Sequence, residues 1–107
     1  MMDMPNAVKT YFSADQGQNA ELLTDIFSSN AIVHDEGESH TGTDAIRAWW
    51  LAAKAKYNHV AEPIEANTNG DRVTVRAKVS GTFPNNPVTL DYFFHVKNGK
   101  ITEMGVE

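Results

Sequence analysis

Apolar and polar residues alternate along the second half of the chain as they do in β-strands. Between residues 71 and 83, apolar residues take every second position from Val73 to Val79, and polar residues fill the positions between. The pattern predicts four consecutive strands, at residues 59–68, 71–83, 88–97 and 100–106. Asn69-Gly70, the segment 84–87 and Asn98-Gly99 separate them. Asn-Gly suits a two-residue hairpin, because both turn positions need a positive φ. We therefore predict an antiparallel meander.

The first half has helical periodicity instead. Val8, Tyr11 and Phe12 share one face of a helix predicted from Pro5 to about Ala14. A turn at residues 15–18 precedes a second short helix, capped by Asn19. Residues 31–35 are predicted to form a short strand and residues 36–40 an exposed loop.

A third helix is the clearest of the three. Its apolar stripe follows the spacing i, i+3, i+4, i+7, i+11 and consists of Ile46, Trp49, Trp50, Ala53 and Tyr57. Thr41 or Thr43 is the predicted cap. The strand at 88–97 is apolar on both faces, which indicates that other parts of the structure pack against each face. One face would be covered by the helices, and we expect the other to be covered by a second copy of the protein, in a homodimer through the sheet.

Composition excludes several classes of protein. The chain of 107 residues is long enough for one domain and leaves no room for a second, so residues 1–107 are predicted to form a single domain. A net charge of −5 with scattered basic residues argues against nucleic acid as a partner. The absence of cysteine excludes disulfides and zinc–thiolate sites. With neither a signal pattern nor a membrane-spanning run, we expect a cytoplasmic protein without a membrane partner.

The order of elements resembles a known superfamily. Helix, helix, strand, helix and meander is the order of the cone-shaped, cystatin-like α+β fold of the nuclear transport factor 2-like superfamily. Three segments resemble its SnoaL-like branch, namely Leu23–Ala31, Thr41–Trp49 and Leu90–Ile101. The resemblance implies a bent antiparallel sheet with the helices in its concave face, enclosing a pocket. It does not imply one reaction, because the superfamily includes isomerases, polyketide cyclases, epoxide hydrolases, dehydratases and proteins without chemistry.

Ketosteroid isomerases resemble the chain more closely at three positions. Tyr11 falls where those enzymes carry an oxyanion-hole tyrosine, Asp35 where they carry the general base, and Asp91 where they carry a protonated aspartic acid. Glu36 departs from the pattern, since those enzymes typically have proline there. The resemblance implies a proton shift that needs no metal and no organic cofactor, and it makes Asp35, Tyr11 and Asp91 the candidate catalytic residues.

Each of these residues also has an ordinary structural interpretation. Tyr11 fits the apolar stripe of the first helix as a core aromatic. Asp35 ends a strand, where an aspartate often bonds the following backbone. Beside an apolar cavity, the same carboxylate would instead gain basicity by desolvation.

The position of Asp91 depends on register. A four-residue loop at 84–87 would place Asp91 opposite Ser80, away from the face of Val75 and Val79. A three-residue loop or a bulge would move it into the pocket. The resemblance favours the pocket, which is our prediction.

Other residues complete the expected pocket. We predict that its wall comprises Trp49, Tyr57, Val75, Val79, Phe93 and Met104. His34, Glu36, Glu38 and His40 crowd one stretch, but their spacing matches no metal-ligand pattern. A solvated acidic loop explains them better, so we expect neither a metal nor a cofactor.

Two classes of function stay open. In the first, the protein is a cofactor-independent isomerase or cyclase for a small hydrophobic carbonyl compound of steroid or polyketide type. The alternative is a non-catalytic ligand-binding or dimerisation module. An enzyme needs Tyr11, Asp35 and Asp91 to converge on one cavity, whereas a binding module would have Asp91 on the outer face or paired with Arg76. A third hypothesis, a limonene-epoxide-hydrolase-like site, requires a pocket arginine, and the candidates are better interpreted as surface residues: Arg47, Arg72 and Arg76.

Overall fold

Three α-helices cover one face of a curved, six-stranded mixed sheet in the computed structural model, which describes residues 4–17 and 19–106. The helices are α1 (Asn6–Gly17), α2 (Leu23–Ile26) and α3 (Thr43–Tyr57), with a 3₁₀ turn at Ala20–Leu22. The strands are β1 (Phe27–Asp35), β2 (Glu38–Thr41), β3 (Val60–Asn69), β4 (Arg72–Ser80), β5 (Val88–Lys97) and β6 (Lys100–Val106). The predicted α+β fold, with helices packed in the concave face of a bent sheet, is confirmed.

The sheet order is β2-β1-β6-β5-β4-β3. Neighbouring strands are antiparallel except β1 and β6, which pair in parallel. The last four strands therefore form the predicted meander, and β1 extends it on the β6 side. Within the described part of the chain, none of the helices has the length and apolar content needed to cross a membrane.

Helix α1 is one turn longer than predicted. Val8, Tyr11 and Phe12 are buried on one face, as the periodicity requires. The helix continues through Asp15 to Gly17, where we had predicted a turn, and the fourth residue of that turn, Gln18, lies outside the described residues. Asp15 stays helical because its side chain is buried and hydrogen-bonded in the core.

The segment after β1 is a hairpin and not a loop. Glu36 and Gly37 both have positive φ, 52° and 78°, which suits a two-residue turn between antiparallel strands. Strand β2 then pairs back onto β1, with Asp35 opposite Glu38. The predicted loop over residues 36–40 is therefore wrong. This hairpin places Asp35 at the last position of β1 and Glu36 in the turn beside it.

Helix α3 matches the predicted stripe but not the predicted caps. Ile46 and Trp50 are buried, while the rest of the stripe faces the space beneath the helix. Gly42 precedes the first turn, and no side chain caps it, so neither threonine acts as the cap. At the other end, Asn58 has a left-handed φ of 47°, which ends the helix.

The meander agrees with the sequence pattern except at its turns. The β3–β4 loop is Gly70-Asp71, one residue later than predicted, because Asn69 pairs with Arg72. Pro63 lies in an edge strand beside a bulge, where its missing N–H removes no ladder bond. Pairing of β4 with β5 ends at Val79 opposite Val88, so the connection is longer than the predicted one.

Candidate functional site

A cavity of about 280 Å³ lies between α1, α3 and the concave face of the sheet. Its volume is near the lower end of the range of small-molecule pockets, roughly 300–1,000 Å³. The wall is mostly apolar. Its aliphatic part comes from the sheet (Val79, Val88, Leu90 and Val106), and its aromatic part is Tyr11, Trp49, Tyr57, Phe83 and Tyr92. Among the lining residues, the charged or titratable groups besides the phenols are Asp35, Glu36 and His59.

Asp35 is half-buried at the rim of this cavity. The indole Nε1 of Trp49 donates a hydrogen bond to Asp35 Oδ2 at 3.0 Å. The other carboxylate oxygen has no hydrogen-bond partner among the described residues. A carboxylate fixed at one oxygen and free at the other is suited to accept a proton from a ligand in the cavity.

Glu36 and Tyr57 form the second polar contact at the rim. The Tyr57 hydroxyl donates to Glu36 Oε1 at 2.8 Å. The Glu36 turn thus ties the end of β1 to the last turn of α3. Because both residues line the cavity, this contact defines one edge of its opening.

Tyr11 is deeply buried and lines the same cavity. Its ring lies in an aromatic cluster, with centroids 5.6 Å from Phe94 and 6.4 Å from Tyr92. Burial raises the pKa of the phenol well above its usual value, and the negative charges of Asp15 and Asp35 act in the same direction. Tyr11 is therefore a neutral hydroxyl donor, and its hydroxyl makes no hydrogen bond to a described residue.

Asp91 lies outside the cavity, on the convex face of the sheet. It pairs in register with Arg76, and Arg76 Nε lies 3.2 Å from Asp91 Oδ1. The two side chains are 53% and 44% exposed. The prediction of a pocket position for Asp91 is therefore wrong, because the β4–β5 register puts its neighbour Tyr92 on the inner face instead.

Tyr92 is the polar side chain that β5 supplies to the cavity. It is 4% exposed and lines the cavity with Tyr11. Burial raises its pKa well above the usual value for tyrosine, with further contributions from Asp15 and Asp35. We had not proposed Tyr92 for the site, although it follows directly from the alternation Leu90, Tyr92, Phe94.

The predicted wall residues divide into two groups. Trp49, Tyr57 and Val79 line the cavity. The remaining three predictions are wrong, for two different reasons. Val75 and Met104 are fully buried in the core behind the wall, and Phe93 lies on the convex face, where its ring is stacked near His34.

His59 is a second residue that the sequence analysis missed. It follows the C-terminus of α3, lines the cavity and has a side chain only 16% exposed. Its Nε2 lies 3.4 Å from Oδ1 of Asp15, and the same oxygen is 2.9 Å from the ammonium of Lys54. A signal was available, since Asp15 follows Val8 by seven residues and so falls on the apolar stripe of α1.

The acidic stretch after β1 does not gather into a metal site. His34 is paired with Glu103 of β6 on the convex face, at 2.7 Å, while His40 packs near Trp49. Within residues 4–17 and 19–106, no group of three or more carboxylates and histidines has the arrangement of a metal site.

This combination of an α+β cone and an apolar cavity with polar groups at its rim defines a class of pocket protein. The chain matches the SnoaL-like domain family over residues 8–104. It therefore belongs to the SnoaL-like family, within the nuclear transport factor 2-like superfamily. No protein with a curated description matches it.

Solved structures agree with this assignment. The chain is 46% identical to protein SMa1630 of Sinorhizobium meliloti, a candidate polyketide cyclase, with a TM-score of 0.95 over 98% of this chain and 96% of that one. IdmH of Streptomyces antibioticus, also a candidate polyketide cyclase, is 18% identical, with a TM-score of 0.79 over 95% of this chain and 88% of that one. A Catenulispora acidiphila protein with a ketosteroid isomerase-like fold, solved with trimethylamine, is 22% identical, with a TM-score of 0.85 over 98% and 86%. At identities of 18% and 22%, the likeness shows the fold alone.

Proposed function

We propose that the cavity binds a small, mostly apolar carbonyl compound and that Asp35 removes a proton from the carbon next to the carbonyl group. The observation that carries this proposal is the position of Asp35 and Tyr11 on one apolar cavity. Asp35 supplies a free carboxylate oxygen at the rim, and Tyr11 supplies a neutral phenol in the interior. Together they are a base and a hydrogen-bond donor, the two groups that enolate formation needs.

Asp35 acts as the base in this proposal. Its Oδ2 is held by Trp49, which leaves Oδ1 to take the proton. The C–H bond breaks, its electron pair moves into the enolate, and Asp35 becomes neutral. Return of that proton to another carbon of the ligand completes an isomerisation and regenerates the carboxylate.

Tyr11 and Tyr92 stabilise the enolate oxygen. Both phenols line the cavity, and their ring centroids are 6.4 Å apart. Because burial keeps both phenols protonated, each can donate a hydrogen bond without losing its proton. A donor of this kind contributes roughly 3–4 kcal/mol to transition-state stabilisation. Tyr92 thus takes the part that the resemblance had assigned to Asp91.

The same groups serve a second reaction on a polyketide-like substrate. An enolate formed by Asp35 can attack a second carbonyl carbon of the same molecule, which closes a ring, and the proton held by Asp35 then passes to the resulting alkoxide to complete the aldol addition. The 46% identity to a candidate polyketide cyclase supports this version. Both reactions begin with the same proton transfer, so one set of variants tests both.

A bicyclic β,γ-unsaturated ketone is the appropriate probe, because the cavity is small for a four-ring steroid. Conversion to the conjugated enone is followed by ultraviolet absorbance in the wild type, Asp35→Asn and Tyr11→Phe. Asp91→Asn is the matched control, since it makes the same chemical change on the convex face. We expect a loss of about 10²-fold or more for Asp35→Asn, a smaller loss for Tyr11→Phe and an unchanged rate for Asp91→Asn. Equal rates in the wild type and Asp35→Asn would refute Asp35 as the base.

A non-catalytic ligand-binding module is the second candidate. The observation that favours it is the pairing of Asp91 with Arg76 on the convex face, because the three residues of the ketosteroid isomerase pattern then do not share one cavity. In that case the wild type binds the enone product, seen as quenching of tryptophan fluorescence, but produces none of it from the probe ketone.

We also propose that the convex face joins two copies of the chain. Phe93 lies at its centre, with the guanidinium of Arg72 4.7 Å from the ring centroid and His34 stacked at 6.4 Å. A half-buried phenylalanine beside an arginine fits an interface centre, where aromatic residues and Arg are enriched. Light scattering on the wild type and Phe93→Asp tests this: we expect a dimer and a monomer, respectively, and a monomeric wild type would refute the proposal.

A further inference from the structure

We propose that His59 is a second general base of the cavity and that Asp15 positions it. This inference deepens the proposed function and rests on it, since it adds a proton-transfer group to the same cavity. His59 lines the wall, Asp15 lies behind it at 1% exposure, and His59 Nε2 is 3.4 Å from Asp15 Oδ1. The imidazole is thus placed between a buried carboxylate and the space available to a ligand.

Asp15 is held rigidly enough to orient a ring. The backbone N–H of Ala61 donates to its Oδ2 at 2.7 Å, and the ammonium of Lys54 lies 2.9 Å from its Oδ1. Burial by itself would raise the pKa of Asp15, but the bonds from His59, Lys54 and Ala61 outweigh burial and lower it. Asp15 is therefore ionised at neutral pH, and a carboxylate can only accept hydrogen bonds.

An acceptor at Asp15 determines the tautomer of His59. The ring nitrogen that faces the carboxylate, Nε2, must carry the hydrogen, so the lone pair of a neutral imidazole is left on Nδ1. Nδ1 makes no hydrogen bond to a described residue. The same principle orients metal-bound and catalytic histidines, whose second nitrogen is fixed by a carboxylate.

Lys54 completes the polar cluster around Asp15. Its ammonium is buried to 9% exposure and also donates to the backbone carbonyls of Asp15 and His59. The cluster thus holds one carboxylate, one ammonium and the imidazole of His59 behind the cavity wall. A neutral imidazole is a base whose usual pKa of about 6.5 is close to neutral pH.

The proton balance is simple. Asp35 takes the proton next to the carbonyl group, and His59 acts on a second proton of the ligand: its O–H or activated C–H bond breaks, the proton moves to His59 Nδ1, and the electron pair stays on the ligand. The imidazolium keeps its Nε2–H toward Asp15, which remains ionised. The proton returns to the ligand in the second half of the reaction, and no further reactant is needed.

The tautomer is measured directly by ¹⁵N NMR of histidine-labelled protein at pH 7.5, where comparison with His59→Gln assigns one of the four histidines. We expect His59 to carry its hydrogen on Nε2 and none on Nδ1, and Asp15→Asn to disturb this distribution. On addition of 2-naphthol, a planar hydroxyl probe, the Nδ1 resonance should move, while the resonances of His95 on the convex face stay in place. A hydrogen on Nδ1 in the free protein, or an unmoved Nδ1 in the naphthol complex, would overturn the inference.

Rates with the probe ketone separate this inference from the proposed function. We expect His59→Gln to lose about 10²-fold and His95→Gln, the matched control, to keep the wild-type rate. If the wild type converts the ketone and His59→Gln retains full activity, the role of His59 is overturned and the proposed function is not. A wild type that neither converts the ketone nor binds naphthol overturns the proposed function, whatever the tautomer of His59.

Discussion

Trp49 donates its indole N–H to Asp35, from the middle of α3 to the end of β1. The neighbouring Trp50 has the opposite character, because its indole nitrogen is buried without a partner among the described residues. The two adjacent tryptophans thus have different structural roles: Trp49 holds a carboxylate at the cavity rim, and Trp50 fills the core.

This difference predicts opposite effects of the same substitution. Trp49→Phe removes a hydrogen bond to a charged, partly buried group, so we expect the free energy of unfolding to fall by about 1.5–3 kcal/mol and turnover of the probe ketone to fall about tenfold. Trp50→Phe leaves Asp35 untouched but leaves a void in the core, so it should lower stability more than turnover. Urea unfolding and rates, measured on both variants, check this. A larger loss of turnover in Trp50→Phe would contradict it.

The buried pair of Asp15 and Lys54 predicts non-additive stability. Removing one partner leaves an uncompensated buried charge, so Asp15→Asn and Lys54→Met should each lower the free energy of unfolding by about 3–5 kcal/mol. The double variant buries no unpaired charge and should cost less than the sum, with a coupling of about 1–3 kcal/mol. A double-mutant cycle in urea measures this quantity. Strict additivity would show that the two groups do not interact.

The same carboxylate predicts a loss of stability in acid. The pKa of Asp15 in the folded protein is below the ordinary value of 3.8, so its contribution is fully present above that value and is lost as pH falls through the folded pKa. We expect the melting temperature of the wild type to drop more steeply below pH 4 than that of Asp15→Asn. Asp25→Asn, at an exposed position of α2, is the control and should follow the wild-type curve. Parallel curves for all three proteins would contradict the assignment.

The surroundings of Gly81 and Gly105 predict different losses of stability when each glycine is replaced by alanine. A Cβ at Gly81 would lie 2.5 Å from the backbone oxygen of Tyr57 and 3.0 Å from Cα of His59, whereas a Cβ at Gly105 would meet the ring of Phe93. Backbone atoms here cannot move aside without displacing the end of α3 and the segment that leads into β3, but a partly exposed ring can rotate. We therefore expect Gly81→Ala to be the more destabilising of the two, by about 1–3 kcal/mol, and to weaken ligand binding beside His59. Thermal unfolding of the two variants ranks them.

The strand pattern was sufficient to predict which side chains of β5 face inward. The family resemblance led to a wrong prediction at Asp91. Alternation puts Tyr92 and Phe94 inward and Asp91 outward, which is what the structure has. The resemblance favoured Asp91 because it implied a shift of register in the β4–β5 connection. Strand β4 ends at Ser80, three residues before the predicted strand end, and the connection that follows packs Gly81 against Phe83, a contact that no local pattern records.

The buried contacts of Asp15 could not be predicted from local sequence patterns. Asp15 contacts Lys54 and Ala61, which lie 39 and 46 residues further along the chain. The sequence shows only that Asp15 interrupts an apolar stripe and that Lys54 follows Trp50 by one helical turn. Whether two such residues meet depends on the packing of α1 against β3 and α3, which is a property of the tertiary structure.

The parallel contact between β1 and β6 has a consequence for biosynthesis. His34 and Glu103, 69 residues apart, bond across it, so the strand that ends in Asp35 obtains its β6 neighbour only after residues 100–106 have been translated. A nascent chain that ends before β6 would already carry α1, α3 and Asp35 but would lack the strand that joins β1 to the meander. The two parts of the cavity wall, on β1 and on the meander, are thus joined into one sheet only when β6 is inserted between them.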